Sequence, residues 1–300
     1  MKKFNSFYID EFLLEKFINQ WISKKMLKTY YTVFRQLLLD TNIIASDLST
    51  YTARNFKKFL WENLIKRNWT SATYNSYRKC FKCYCNYLVT EEYLEENPIN
   101  KIIKRKEPSQ LPKTLTKNQV DELLSSLETA FDKDTFTWYR NIIIVHTYLH
   151  TGLRLSELTN LKVNNLKLYD WYLQVVKWKW SKDRIVPVNK ILTGILHNYL
   201  KARRKEVNYD DGFLFPTIHW NSLKERDMRK IISKLRYCIS FHFTWHQLRH
   251  TFATELVRNN FDIFNISRIL GHTKIDTTKI YLSVDTKKLK QQIDSINLFA

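Results

Sequence analysis

Thr244-Trp245-His246-Gln247-Leu248-Arg249-His250-Thr251-Phe252-Ala253-Thr254-Glu255-Leu256 is the stretch on which the reading of this 300-residue chain turns. Thr244 and Gln247 have capping-box spacing. The threonine hydroxyl accepts from the amide three residues on, and the glutamine reaches back to the threonine amide, so a helix starts at Thr244. Leu248, Phe252 and Leu256 then share the buried face, while His246 and Arg249 stand together on the first turn. That turn carries unpaired N–H groups and the positive end of the helix dipole. A guanidinium and an imidazole added there make a site for an anion such as a phosphodiester. His246 and His250 also have the i, i+4 spacing of zinc ligands. Arg249 between them would repel a cation, however, and no carboxylate stands alongside.

Outward from this helix lie three further pieces. Gly271 follows Ile263, Ile266, Ile269 and Leu270, at the position after a helix end where the backbone turns left-handed. His272 comes next, and Tyr281 closes the run Thr277-Thr278-Lys279-Ile280-Tyr281. Far upstream, Arg154 opens a helical segment after Thr151-Gly152, with Glu157 one turn on. An isolated Arg-x-x-Glu of this kind is ordinarily a surface ion pair worth little. Between two candidate strands runs Lys177-Trp178-Lys179-Trp180-Ser181-Lys182-Asp183-Arg184-Ile185-Val186-Pro187-Val188.

Arg154, a hairpin lysine, His246, Arg249, His272 and Tyr281, in this order and spacing, resemble the tyrosine site-specific recombinase (phage integrase) family. At 300 residues, with no extra N-terminal arm-binding domain, the chain is most similar to the Xer-type members. The resemblance implies a mainly α fold with a small antiparallel β-sheet, clamp-like around DNA. It places a helical, SAM-like core-binding domain at residues 1–107 and the catalytic domain, with a C-terminal tail helix, at 108–300. By it, Tyr281 attacks the scissile phosphate, Arg154 and Arg249 hold that phosphate, and His272 hydrogen-bonds it. His246 assists proton transfer, Lys179 protonates the leaving 5′ oxygen, and Glu157 orients the site. Lys179 follows from aligning on Arg184 and Pro187, with Lys177 and Lys182 as the other claimants. The resemblance implies neither metal nor ATP nor any other cofactor, because a phosphotyrosine ester conserves the bond energy. Its partners would be double-stranded DNA and further copies in a tetramer on that DNA, of this chain alone or with a paralogous recombinase. Three other readings stand beside this one: an integrase of a mobile element, a type IB-like topoisomerase relaxing supercoils without a specific site, and a non-catalytic DNA-binding protein of the same fold.

The bulk properties suit a polyanionic partner. Net charge is +20, with 19 Lys and Arg against 11 Asp and Glu up to residue 107, and 30 against 18 beyond it. Both parts are basic, as expected if both touch one duplex. Hydrophobic content of 44% and charged content of 26% describe a soluble globular chain. Asp10 and Glu11 interrupt any signal-peptide stretch, and no apolar run approaches a membrane span. Four cysteines provide no disulfide framework, so a cytoplasmic location is expected. Cys80-x-x-Cys83-x-Cys85 invites a metal, but no fourth ligand is near and the segment has helical period, so buried packing is the expectation.

Pro98, Pro108 and Pro112 surround the basic run Lys101 to Lys106 and mark a linker that divides the protein near residue 108. Before it, four or five helices are expected. Their stripes are Ile9, Leu13, Phe17 and Trp21; Leu27, Tyr30, Phe34 and Leu37; Phe56, Leu60 and Leu64; and Tyr74, Tyr77, Phe81, Tyr84 and Leu88. Lys57, Lys58, Lys66, Arg67, Arg78, Lys79 and Lys82 lie between, as phosphate grips or a solvated face. After the linker come helices at Thr116 to Leu127 and Asn141 to Thr147, and short strands at Leu166 to Leu168, Tyr172 to Lys177 and Arg184 to Val188. Helical period returns from Ser222. Residues 286–297 read as an amphipathic helix that either packs on its own domain or docks into a neighbouring subunit.

One compositional oddity bears on the hairpin. Trp178 and Trp180 flank Lys179 where the family has glycines, and Asp170-Trp171 is a turn where Asp-Gly would be ordinary. The chain has 4 Gly and 9 Trp, against about 21 Gly at average usage. Glycine codons read under the wrong genetic code would explain this, and the encoding DNA decides it.

Overall fold

The computed structural model describes residues 7–19, 22–40, 43, 47–108, 111–131, 135–176, 183–206, 212–272 and 276–279. The chain divides into two compact units, Met1–Ser109 and Gln110–Ala300.

In the first unit, four helices appear among the described residues: α1 (Phe7–Ile18), α2 (Lys24–Asp40), α3 (Ala53–Lys66) and α4 (Ser71–Thr90). Thr52 and Thr70 start α3 and α4 by accepting from Asn55 and Thr73 amides, each at 3.2 Å. The expected stripes supply most of the core: Ile9, Leu13, Tyr30, Phe34, Leu37, Phe56, Leu60, Tyr74, Phe81, Tyr84 and Leu88 are buried. Phe17 is not, at 43% exposed, and Phe12 packs inward instead, against Phe34 and Tyr84. A strict spacing of four drifts around a helix of 3.6 residues per turn, which carries Phe17 out of the core. Cys80 and Cys85 are buried in this core, and burial pushes the Cys80 thiol up to about 11. Among the described residues, no three His, Cys, Asp or Glu side chains gather as a metal site.

Arg78 is half-buried. Its Nε donates to the Ile102 carbonyl at 2.6 Å, bracing the segment after α4. That segment is more ordered than a linker reading suggests: Pro98–Lys101 form a 3-10 turn with Pro98 and Ile99 buried.

The second unit contains α5 (Lys117–Ser126), α6 (Phe136–Thr151) and α7 (Leu155–Thr159), followed by β1 (Leu166–Lys167), β2 (Tyr172–Val175) and β3 (Arg184–Pro187). Then come α8 (Lys190–Glu206), α9 (Glu225–Arg236), α10 (Trp245–Arg258), α11 (Ile263–Leu270) and the short α12 (Asp276–Lys279). The three strands form one antiparallel sheet in chain order, with Leu173 opposite Leu166 and Val186. The fold is thus mainly helical with one small sheet.

α6 and α10 pack together at the centre. Trp245 packs against Tyr148 with ring centroids 5.1 Å apart and donates from Nε1 to the Met228 carbonyl at 3.1 Å. The Thr244 capping box is present in both halves: Gln247 N donates to Thr244 Oγ1 at 3.3 Å, and Thr244 N to Gln247 Oε1 at 2.9 Å. Gly152 and Gly271 end α6 and α11 with φ of 56° and 65°. Trp171 and Trp220 share this left-handed conformation, at φ 58° and 59°. No helix among the described residues is long and apolar enough to cross a membrane.

Candidate active site

Two helix C-termini build the site. At the end of α11, Gly271 N donates to Arg268 O at 3.1 Å and His272 N to Ser267 O at 3.0 Å, the paired bonds of a Schellman turn. The turn leaves the carbonyls of residues 269, 270 and 271 pointing past the helix end, and each accepts from a different arginine. Arg184 Nε donates to Ile269 O at 2.7 Å, Arg249 Nη2 to Leu270 O at 2.8 Å, and Arg154 Nη2 to Gly271 O at 2.6 Å. Arg249 Nη1 also donates to Gly152 O, just past the end of α6. Cations are favoured at the negative end of a helix dipole. The three carbonyls thus help to hold three guanidiniums close together.

The carboxylate that ties Arg154 to Arg184 is Glu157. It accepts from Arg154 N at 2.8 Å and Nη1 at 3.0 Å, and from Arg184 Nη1 and Nη2 at 2.7 Å each. At 9% side-chain exposure it belongs to a buried network and not to a surface pair. Burial pushes its carboxyl upward, but the hydrogen bonds and charge of Arg184 and the hydrogen bonds from Arg154 outweigh that and hold it at about 2. The Arg154 side chain is 35% exposed. Its remaining guanidinium N–H groups find no partner among the described residues. It lines an open cleft of about 970 Å³ together with Ser156, Asn160, Lys162 and Asn165.

His272 joins the cluster through both ring nitrogens. Nε2 lies 3.2 Å from Arg249 Nη2, and Nδ1 lies 2.7 Å from Thr278 Oγ1. A guanidinium can only donate, so Nε2 is the acceptor and Nδ1 carries the proton, donated to the threonine hydroxyl. Burial, then the charges of Arg249, Arg154 and Arg184 and the nearby His250, push the imidazole down to about 4. His272 is neutral at physiological pH.

The structure therefore joins Arg154, Arg249 and His272 in one hydrogen-bonded cluster. His246 stands exposed one turn before His250 on α10, outside that network. Arg249 itself is 5% exposed, because its side chain runs inward to the two helix ends. Lys179, Tyr281 and the tail at 286–297 lie outside the described residues. Sequence reasoning missed two members of the network. In the sequence Arg184 stands out only as the residue that, with Pro187, locates Lys179, and Thr278 only as part of the run that Tyr281 closes. Three threonines, at 273, 277 and 278, follow His272 within six residues, and the sequence does not say which of them meets Nδ1.

The phage integrase family profile matches residues 113–288, more than half of the chain. The chain belongs to the phage integrase family. It is a tyrosine recombinase of Xer type. A tyrosine recombinase XerD from Listeria innocua is 29% identical over 94% of this chain and 95% of its own length. XerA from Pyrococcus horikoshii is 32% identical over 82% of this chain and 81% of its own. Among solved structures, the Tn1549 transposon integrase in complex with transposon right end DNA superposes with a TM-score of 0.77. It covers 96% of this chain and 99% of that one at 16% identity, a likeness of fold. A recombinase breaks and rejoins DNA strands, and a cluster of guanidiniums with one open face is fit to bind the phosphodiester on which that chemistry acts.

Proposed function

We propose that this recombinase cuts and rejoins DNA at specific sites through a 3′-phosphotyrosyl intermediate, with Arg154, Arg249 and His272 holding the scissile phosphate. The observation that carries the reading is the open guanidinium edge of Arg154, set beside Arg249 and His272 on the C-terminal turn of α11.

A phenol is a weak nucleophile at its ordinary pKa near 10. It needs a phosphate whose charge is already neutralised, and guanidiniums bonded to the non-bridging oxygens do this increasingly as charge develops. The Tyr281 oxygen bonds to phosphorus and the P–O5′ bond breaks. His246 assists the phenolic proton transfer, and Lys179 supplies the proton taken up by the departing 5′ oxygen. A 5′-hydroxyl from a partner strand then attacks the phosphotyrosine in the reverse sense, rejoining the DNA and releasing Tyr281. His272 enters this cycle neutral. The Thr278 hydroxyl can accept from Nδ1–H or donate to Nδ1, so the imidazole can present Nε2–H to a phosphate oxygen once Arg249 turns to that phosphate. Residues 1–107 add basic surface for the same duplex, and the working assembly is a tetramer on DNA. Whether the sites belong to chromosome dimers or to a mobile element is set by the DNA sequence recognised.

The test is covalent trapping on a nicked suicide duplex. Wild type should give a protein–DNA adduct on a denaturing gel, with or without EDTA. Tyr281→Phe should give none while binding the duplex nearly as well. Adduct formed by the Phe variant would overturn the assignment of Tyr281, and loss of adduct in EDTA would overturn the metal-free chemistry.

A further inference from the structure

The chemistry above leaves Arg184 without a role, although its guanidinium is bonded to both halves of the phosphate clamp. Nη1 and Nη2 form a bidentate pair with Glu157, the carboxylate that also holds Arg154, at 2.7 Å each. Nε holds Ile269 O, next to the Leu270 carbonyl that holds Arg249 and within the turn that delivers His272. The Arg184 side chain is 8% exposed, and its three nitrogens are all engaged, so it is buried behind the cleft. Gly271 makes room for it: a Cβ there would lie 2.9 Å from Arg184 Nη1 and 3.0 Å from its Cζ. Arg184 is also the first residue of β3, opposite Val175, where the chain returns from the segment that carries Lys179.

We propose that Arg184 is a positioning residue for strand cleavage. It fixes the spacing between Arg154 and the α11 turn, so that Arg154, Arg249 and His272 meet one phosphate together. An ion pair kept only for stability could be replaced by another contact of similar strength. A planar fork that bridges a carboxylate on α7 to a carbonyl on α11 sets a distance, and lysine, a point charge, cannot reproduce it. The proposal rests on the reading of this cluster as the phosphate site.

The experiment compares single-turnover cleavage of two suicide duplexes, one with a natural scissile phosphate and one with a methylphosphonate there. The methylphosphonate lacks one charged non-bridging oxygen and so has less need of a well-placed guanidinium. Arg184→Lys and Arg184→Gln should slow cleavage of the phosphate by about 100-fold, the scale of an ångström of misplacement. Duplex binding should stay within a few-fold of wild type. On the methylphosphonate the penalty should shrink to less than about tenfold, in parallel with Arg154→Gln as reference. A merely structural role predicts the same penalty on both substrates, and that result, or no penalty on the phosphate, overturns the proposal. Because Arg184→Gln leaves the Glu157 carboxylate short of a partner, the neutral double variant Arg184→Gln/Glu157→Gln is scored by the same ratio. If none of the three variants folds, Arg184 serves the fold and the proposal is wrong. Absence of cleavage by wild type would instead sink the phosphate-site reading itself.

Discussion

Gly271→Ala perturbs the site at one atom, and the structure gives its size. The backbone there is left-handed at φ 65°, which costs an L-residue about 1–2 kcal/mol. The added Cβ also arrives 2.9–3.0 Å from three atoms of Arg184, so the guanidinium must retreat. It is pinned by Ile269 O and both Glu157 oxygens, and losing one such charged hydrogen bond costs about 1.5–3 kcal/mol. The expected loss is therefore about 2.5–5 kcal/mol, a large part of the roughly 5–15 kcal/mol that stabilises a domain. Gly194→Ala is the control of opposite sign. It lies within α8 with nothing within 4 Å of a new Cβ, so it should gain about 0.5–1 kcal/mol. Urea unfolding followed by circular dichroism, with midpoints compared at equal slope, measures both. A Gly271→Ala loss below about 1 kcal/mol would refute the reasoning, since even the backbone term alone reaches that value.

Arg249→Lys should lose about 2.7–4 kcal/mol of transition-state stabilisation, because one ammonium cannot span Gly152 O and Leu270 O and still face a phosphate. Single-turnover cleavage within a few-fold of wild type would remove Arg249 from the site. Acid should destabilise the second unit in two steps. The His272 imidazole is held at about 4 in the fold against 6.5 outside it, so between those values the unfolded chain binds the extra proton and stability falls as pH drops. Glu157, held at about 2 against 4.5, contributes stability above 4.5 that is lost as pH falls toward 2. Equilibrium unfolding across pH 7 to 4 should show the first slope in wild type and a shallower one in His272→Gln; equal slopes would discard this assignment.

The elements legible in the sequence are those in which local chemistry and tertiary packing agree. The Thr244 capping box, the Gly271 turn and the three short strands follow from residues that satisfy their neighbours within a few positions. The core stripes of α2 and α4 are equally readable, whereas α1 departs from its every-fourth stripe at Phe17, and Trp21, the next position of that stripe, lies outside the described residues. At the start of the proline-rich stretch residues 98–101 take up a 3-10 turn, because a proline that bars an α-helix is well placed to start one. The arginine cluster was legible only through family resemblance. Nothing in Arg154-x-x-Glu157 says that the carboxylate is buried, since Arg184, which buries it, lies 27 residues away. Carbonyl acceptors carry no sequence signal at all, so the role of the α11 terminus in holding three guanidiniums could come only from the structure.

The tryptophans provide the last prediction. Trp171 sits at φ 58°, ψ 34° and Trp220 at φ 59°, a conformation that is an outlier for a bulky side chain and costs about 1–2 kcal/mol each. By contrast Trp69 and Trp245 use their indoles: Trp69 packs on Tyr77 at 4.2 Å, and Trp245 donates to Met228 O. Asp170-Trp171 makes the turn that Asp-Gly would make, beside β2 and close in sequence to Trp178 and Trp180. Two left-handed tryptophans in a chain with 4 glycines point the same way as the composition. We therefore predict that positions 171, 178, 180 and 220 are decoded as glycine in the source cell. The gene should then show one shared codon at these four positions, different from the codon at Trp69 and Trp245, and peptides of the natural protein should have glycine masses there. Glycines at 178 and 180 would give Lys179 the Gly-Lys-Gly turn that the family resemblance calls for and free it from two bulky neighbours. A single codon at all nine tryptophans, or peptide masses matching indole, would overturn the prediction and leave the strain at Trp171 and Trp220 as a real cost of this fold.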